Sequence, residues 1–306
     1  MSVKNITNMS HSVRDRLLTL AKANGRDVNY LFQRYAYERF YYRLGKSEYS
    51  RRFILKGASL FSVWLGPMFR VTQDTDFEST LTPDHDGMRQ VFAEVAGLEV
   101  PDDGVMFDAE TLTVDDIKKE DKYKGVRVRM LAYIGQARIN LQFDIGFGDS
   151  VYPAPVYQEY PVLLDGLRPR LKVYPQYTVL AEKLSAIVDL AMSNSRLKDY
   201  YDLWVLLEHF EFDLQLVRTA VTRTFARKEL LLPADWPIGL TKQFGEDALK
   251  ISQWNAFLGK IDPVERPGTL WSTILQIRKF FAPVLGIEAL AETTWKSGVG
   301  WWIGIC

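Results

Sequence analysis

The chain is poor in cysteine and in long apolar runs, and each lack excludes a class of protein. Its single cysteine is Cys306, so no disulfide can form within the chain and a disulfide-stabilised secreted fold is excluded. No apolar run approaches the roughly 20 residues that a membrane-spanning helix needs. Residues 1–18 also lack the apolar core of a signal peptide. We therefore expect a cytoplasmic protein with no membrane partner.

Net charge and clustered histidines are also lacking. The 38 basic and 38 acidic residues cancel, so no overall field attracts nucleic acid. The 3 histidines are scattered without the spacing of zinc ligands, which argues against a zinc enzyme. A polynucleotide would have to bind to local basic patches. The candidate patches are Arg51 with Arg52, the run 118–129, and Arg168 with Arg170 and Lys172.

What is present is an ordinary globular composition over 306 residues, long enough for two lobes. We predict a first lobe over residues 1–150 and a second over 151–306, with the proline-rich segment 151–175 crossing between them. The second lobe is predicted to be mainly helical. Its predicted helices span residues 177–193, 196–210, 213–228, 241–259 and 264–282.

The first lobe is predicted to begin with two helices. The first ends at Gly25, and the second runs from Asp27 to Gly45. The second helix is rich in aromatic residues, which we expect to pack in a core rather than to stack on bases. A later helix within residues 82–97 is predicted to have Thr82 as its N-cap.

The segment "FRVTQDTDFEST", residues 69–80, reads as a strand that carries two acidic residues. Residues two apart in a strand point to the same face, so Asp74 and Asp76 lie side by side. Two half-buried carboxylates repel each other. A positive group should therefore lie between them, or the strand should be fully solvated.

The segment just before it, "FILKGASLF", reads as a strand end, a short loop and the start of a helix. Gly57 allows a tight turn and close approach of a ligand to the backbone. Ser59 is predicted to cap the helix, whose first N–H groups attract phosphate. A divalent cation would join such a phosphate to the carboxylate pair. This combination indicates a nucleotidyl-transfer site.

A third carboxylate follows in "ARINLQFDIGFGD", residues 137–149. Alternating apolar residues predict a strand with one face in the core, and Asp144 falls on its polar face. Three carboxylates can hold two magnesium ions, one for the attacking oxygen and one for the triphosphate. Asp144 is therefore the third candidate metal ligand.

Taken in order, "FILKGASLF", "FRVTQDTDFE", "LQFDIGFGD", "VLAEKLSAI" and "SRLKDYYDLWVLL" resemble the AbiEii/AbiGii-type toxin family. The resemblance runs from about residue 12 to about residue 280. These toxins are nucleotidyltransferases of the polymerase-β-like superfamily and are related to the MenT toxins. The resemblance implies an α+β fold, in which a polymerase-β-like nucleotidyltransferase lobe with a small mixed sheet precedes a mainly helical C-terminal lobe.

The resemblance also implies roles for particular positions. Three carboxylates would bind metal, and a glycine–serine loop, here with Ala58 inserted, would bind phosphate. A further group in the C-terminal lobe would act in nucleotide binding or catalysis. The positions are Gly57 and Ser59 for the loop, Asp74, Asp76 and Asp144 for the metal, and Lys183, Lys198, Asp199 and Asp202 for the further group.

The sequence pattern alone does not determine whether this further group has a structural or a functional role. Lys183 lies at the edge of an apolar helical stripe, where a lysine usually covers apolar surface with its stem. Asp199 and Asp202 share a helix face near its start, where acidic residues commonly complement the helix dipole. The alternative is that the acidic pair orients Lys183 or accepts a proton.

We expect Mg²⁺-dependent transfer of a nucleoside monophosphate from an NTP to an acceptor hydroxyl, with Mn²⁺ as a possible substitute. The resemblance implies the toxin of a bacterial toxin–antitoxin pair with a role in phage defence. It also implies a tRNA 3′ end as acceptor and a cognate antitoxin as partner. Two alternatives remain open: a small-molecule nucleotidyltransferase with a closed acidic pocket, and a protein of the same fold that binds NTP without turnover.

Overall fold

The structure, a computed structural model, divides the chain into two compact units. It describes residues 8–67, 69, 74–117, 125–261, 263–288 and 293–302. The first unit lies within Met1–Gly148 and Val156–Val173, and the second within Asp149–Pro155 and Tyr174–Cys306. The predicted boundary at residue 150 differs from this division, because residues 156–173 contribute strands to the first unit.

The first unit is a sheet with helices. Its described helices are α1 (Met9–Asn24), α2 (Val28–Lys46), α3 (Ser59–Leu65) and α4 (His85–Ala96). Its strands are β1 (Phe53–Lys56), β2 (Thr75–Ser79), β3 (Met106–Asp116), β4 (Val126–Ile134), β5 (Ala137–Phe147), β6 (Val156–Glu159) and β7 (Arg170–Val173). They form one 7-stranded sheet in the order β3-β4-β5-β2-β1-β7-β6. Because β2 is parallel to β5 but antiparallel to β1, the mixed sheet that was predicted is confirmed.

The core of this unit lies on one face of the central strands. Phe77 of β2 and Phe143 of β5 are fully buried there, beside Phe40 of α2 and Phe92 of α4. The ring of Phe143 lies 4.6 Å from that of Phe40 and 5.1 Å from that of Phe92, measured between centroids. The expected core role of the α2 aromatics is confirmed. Strand alternation then directs the neighbouring residues of Phe77 and Phe143 to the opposite face.

Helix α2 ends one residue later than predicted, and the N-cap predicted for α4 is wrong. Helix α2 continues past Gly45 to Lys46. An ideal Cβ at Gly45 would lie 2.6 Å from the carbonyl oxygen of Arg170, so this glycine permits close approach of β7 rather than ending the helix. At α4 the N-cap is Asp84, whose carboxylate accepts from the N–H of Gly87 at 2.9 Å, and not Thr82.

The second unit is mainly helical, as predicted. Its described helices are α5 (Gln176–Leu190), α6 (Lys198–His209), α7 (Leu214–Arg227), α8 (Lys242–Gly245), α9 (Ala248–Ile261) and α10 (Leu270–Val284). Its strands β8 (Phe212–Asp213), β9 (Thr294–Lys296) and β10 (Gly300–Trp302) form a 3-stranded sheet. The helix predicted over 241–259 is divided into α8 and α9. Of the helices that the structure describes, none is long and apolar enough to cross a membrane.

Candidate active site

Four charged residues lie in one row across the sheet of the first unit. Lys56 of β1 is opposite Asp76 of β2, Asp76 is opposite Asp144 of β5, and Asp144 is opposite Arg127 of β4. Residues in register on adjacent strands point to the same face, with strands about 4.8 Å apart. The row therefore places two carboxylates side by side with a cation at each end. The positive group that was expected between Asp74 and Asp76 stays a prediction.

Arg127 holds Asp144 by both of its oxygens. Its Nε donates to Oδ1 at 2.8 Å and its Nη2 donates to Oδ2 at 2.7 Å. The pair is partly exposed, at 31% for Arg127 and 20% for Asp144. The pKa of Arg127 is raised, first by this hydrogen bonding and then by the charges of Asp144, Asp74 and Asp76, against the lowering effect of burial. The negative charges of all three predicted metal ligands thus stabilise the protonated guanidinium of Arg127.

Asp74 lies immediately before β2, on the same side as Asp76. Its Oδ1 accepts a hydrogen bond from Nε2 of Gln142 at 3.2 Å. Gln142 is two residues before Asp144 on β5 and therefore shares its face. The structure thus brings Asp74, Asp76 and Asp144, here called the carboxylate triad, to one face of two adjacent strands.

Two tyrosines of α2 fix the strands that carry the triad. The hydroxyl of Tyr41 is 2.6 Å from Oγ1 of Thr75, the residue between Asp74 and Asp76. The hydroxyl of Tyr37 donates to the carbonyl of Gln142 at 3.0 Å and accepts from its N–H at 2.9 Å. Burial raises the pKa of Tyr37, and the charges of the triad raise it further. Helix α2 therefore anchors both strands directly behind the carboxylates.

A fourth carboxylate, Glu78, lies on the same face of β2. Its Oε2 pairs with Nζ of Lys56 at 3.0 Å, and its side chain is only 4% exposed. Sequence reasoning missed Glu78, Lys56, Arg127 and Gln142. Period-two spacing from Asp76 could have indicated Glu78, but the others depend on the register between strands.

The loop between β1 and α3 lies against Asp76. Gly57 has a φ of +71°, and an ideal Cβ there would lie 2.0 Å from Oδ2 of Asp76. Only glycine allows the loop this position. The predicted capping role of Ser59 is wrong: Ala58 is the N-cap, without a side-chain hydrogen bond. Ser59 is buried as the first helical residue.

The triad has the donor chemistry that a hard divalent cation requires, since all of its ligating atoms are carboxylate oxygens. Asp76 and Asp144 are adjacent in register, and Asp74 is on the same side. As the side chains stand, no group of three or more acidic, histidine or cysteine residues in the described part of the chain is arranged to hold a metal ion. The residues therefore fit a metal site in type and backbone position, and the Asp144 carboxylate is bound by Arg127.

The second unit contains a separate charged cluster. Nζ of Lys183 on α5 lies 2.9 Å from Oδ1 of Asp199 and 2.6 Å from Oδ2 of Asp202, both on α6. The lysine side chain is 14% exposed, and the two carboxylates are 1% and 3% exposed. Lys183 is therefore held by a buried acidic pair rather than lying along the surface, while Lys198 is exposed.

Asp199 also contacts Arg196, with 3.0 Å between Oδ2 and Nε. Burial alone would raise the pKa of Asp199, but Lys183 and Arg196 outweigh it and the pKa is lowered. The carboxylate is ionised in this cluster. The role in nucleotide binding or catalysis that the resemblance implies for these residues stays a prediction.

The chain matches one family model and resembles solved structures, among them two from Helicobacter pylori. The family described as "Nucleotidyl transferase AbiEii toxin, Type IV TA system" matches residues 39–279. JHP933 of Helicobacter pylori is 15% identical, with a TM-score of 0.46 over 81% of this chain and 87% of that one. An H. pylori protein described as a nucleotidyltransferase is 16% identical, with a TM-score of 0.44 over 81% and 89%. No curated protein matches the chain.

Proposed function

We propose, from the premise that this chain belongs to the AbiEii family of nucleotidyltransferase toxins, that it transfers a nucleoside monophosphate from an NTP to an RNA hydroxyl. The observation that carries the proposal is the register of Asp76 and Asp144 on adjacent parallel strands, with Asp74 beside them. The predicted α+β, polymerase-β-like fold class is confirmed by the family and by the mixed sheet.

In the proposed reaction, the acceptor oxygen forms a bond to the α-phosphorus, and the bond from that phosphorus to the pyrophosphate oxygen breaks. The acceptor proton leaves to a carboxylate or to water. A bound Mg²⁺, or Mn²⁺ in its place, would supply the positive charge that the triphosphate and the attacking oxygen need. Asp74, Asp76 and Asp144 would hold it, and the absence of a side chain at Gly57 lets the loop lie directly against the Asp76 carboxylate.

Basic groups in the first unit support an RNA acceptor. Nζ of Lys172 donates to the carbonyl of Arg51 at 3.3 Å, so two of the predicted patches, distant in sequence, adjoin. Cζ of Arg170 lies 5.5 Å from the ring centroid of Tyr157, and Nζ of Lys172 lies 5.8 Å from the same centroid. Cations beside an exposed aromatic ring suit a phosphate backbone and an unpaired base. Most of the remaining patch, the run 118–129, cannot be placed, because residues 118–124 lie outside the described residues.

The specific acceptor that we propose is the 3′ hydroxyl of tRNA, with a cognate antitoxin as the natural inhibitor. The test is incubation of the protein with Mg²⁺, each α-labelled NTP, and tRNA whose 3′ end is either intact or oxidised by periodate. Label should enter intact tRNA only. Label in oxidised tRNA would exclude the 3′ hydroxyl, and label in a small-molecule acceptor alone would exclude RNA as the substrate.

Metal and nucleotide should bind as one unit. A triphosphate brings its own oxygen ligands to the metal, so each ligand increases the affinity for the other. We expect Mg²⁺ together with an NTP to raise the melting temperature by more than the sum of the two separate shifts. The measurement is thermal unfolding with each ligand alone and with both. Additive shifts would indicate separate sites.

Gly57→Ala should strongly impair transfer. The new methyl group would meet the Asp76 carboxylate, and alanine is strained at a φ of +71°. The matched control is Gly25→Ala, whose φ of +61° imposes the same backbone strain but whose Cβ meets nothing within 4 Å. Both variants should lose about 1 kcal/mol of stability from this strain, and only Gly57→Ala should lose transfer. Equal activities in the two variants would remove the loop from the site.

A further inference from the structure

The bidentate bond between Arg127 and Asp144 places a cation on a residue that the proposed reaction needs as a metal ligand. We propose that Arg127 competes with the divalent cation for Asp144, so that the cation binds well only together with a triphosphate. This inference rests on the proposed function and adds a positioning residue to the same site. Arg127 would be the residue that makes metal binding conditional on nucleotide.

The geometry of the pair supports competition. The guanidinium fork uses one N–H for each oxygen of Asp144, at 2.8 Å and 2.7 Å, in the strong arrangement for this pair of groups. As the side chains stand, no group of three acidic residues in the described part of the chain is arranged to hold a metal ion. Metal binding therefore has to displace Arg127.

The chemistry of arginine indicates what would accept it after displacement. A guanidinium binds the oxygens of phosphate with the same planar fork that it offers to a carboxylate. Arg127 is 31% exposed, so its head group is accessible to a ligand on this face. A triphosphate arriving with the cation offers Arg127 new anionic partners, whereas the cation alone offers none. The exchange of partners then couples the two ligands.

Arg129 provides a matched control. It lies two residues further along β4, on the same face, and pairs with Asp115 at 2.8 Å. Its Nε also donates to Oε1 of Gln142 at 3.3 Å, so it reaches the triad only through the amide that donates to Asp74. Arg129→Met removes the same charge from the same strand as Arg127→Met does. Arg127→Lys keeps the charge but loses the fork, and it serves as the second variant if Arg127→Met does not fold.

The first measurement is Mn²⁺ binding by titration calorimetry without nucleotide. Arg127→Met should bind Mn²⁺ about tenfold more tightly than the unmodified protein, because a charge-assisted bidentate pair no longer opposes it. Arg127→Lys should be intermediate, and Arg129→Met should be unchanged. If Arg127 instead orients Asp144 for the metal, Arg127→Met will bind Mn²⁺ more weakly, and that result would overturn the proposal.

The second measurement is the coupling of Mn²⁺ to a nucleoside triphosphate with an α,β-methylene bridge, which cannot be transferred. Arg127→Met should reduce the factor by which the analogue increases Mn²⁺ affinity, and Arg129→Met should not. An undiminished factor would overturn the proposal. Asp76→Ala separates this from failure of the proposed function: if it binds Mn²⁺ as the unmodified protein does, the metal site itself is wrong, whatever the arginine variants show.

Discussion

Asp76→Ala is expected to reduce nucleotidyl transfer by at least about a thousandfold, because loss of the metal withdraws several kcal/mol of transition-state stabilisation. Asp76 is the triad member with Asp144 beside it in register and Gly57 against its oxygen. Removing it relieves repulsion between adjacent carboxylates. Thermal unfolding without metal should therefore be unchanged or occur at a slightly higher temperature, and circular dichroism should show the native fold.

The matched control is Asp115→Ala. Asp115 is an acidic residue of the same sheet that pairs with Arg129, but it is 57% exposed and is not a member of the triad. This variant should retain transfer. Normal activity in a folded Asp76→Ala protein would contradict the assignment of the triad, and equal losses in both variants would indicate a general effect of charge removal.

Lys183→Ala is expected to lower the free energy of unfolding by about 3–5 kcal/mol, the usual cost of removing one partner from a buried ion pair. It leaves Asp199 and Asp202, 1% and 3% exposed, without the ammonium that lies between them. Lys183→Met should lose nearly as much, because it restores apolar volume but no charge. Chemical denaturation measures these changes. Lys198→Ala, at an exposed position on α6, should stay within about 0.5 kcal/mol of the unmodified protein.

Acid should remove the same stabilisation. The pKa of Asp199 is lowered in the folded state, so its contribution is fully present above the unfolded pKa of about 3.9. It is lost as the pH falls through the lower folded value. The stability difference between the unmodified protein and Lys183→Ala should therefore shrink in acid. A difference that is constant from pH 7 to below about pH 3 would contradict the ion-pair explanation.

Lys183→Arg separates the structural role from the role that the resemblance implies. Arginine keeps the positive charge between the two acidic residues, so most of the stability should be retained. If Lys183 acts in nucleotide binding or catalysis, transfer should still be impaired, because a planar fork does not replace a compact ammonium. Full transfer by a stable Lys183→Arg protein would restrict the cluster to a structural role.

The triad could be predicted from sequence because it depends on a local rule. Alternation along β5 placed Asp144 opposite the core, and the spacing of Asp74 and Asp76 placed both on one face. Each inference needs only one strand. The demand for nearby positive charge also followed from the repulsion between the two carboxylates. The sequence did not indicate which basic residues lie near the carboxylates.

Arg127 could not be identified because its role depends on the register between β4 and β5. It alternates with apolar residues in the same way as Arg129, and the sequence does not distinguish them. The structure pairs one with Asp144 and the other with Asp115. A shift of two residues in the register between β4 and β5 would have placed Arg129 opposite Asp144 in place of Arg127. The register is set by the packing of the whole sheet and cannot be determined from one strand.

The helix end at Gly45 was mispredicted for a similar reason. A glycine near a helix end usually marks the end, but here it accommodates the backbone at Arg170, far along the chain. The short strands β6 and β7 were not predicted, because each has only 4 residues and lies in a proline-rich segment. Both cases concern contacts between distant segments, which local patterns do not encode.

The most direct test of the central claim compares α-labelled with γ-labelled NTP. The protein is incubated with Mg²⁺, RNA and either nucleotide, beside Asp144→Asn and Asp76→Ala as inactive controls and Asp115→Ala as an active one. The account predicts that only the α label enters RNA and that the γ label is released in pyrophosphate. Both triad variants should neither label RNA nor release pyrophosphate. Label from the γ position in the acceptor, or unchanged α-label transfer by the triad variants, would contradict it.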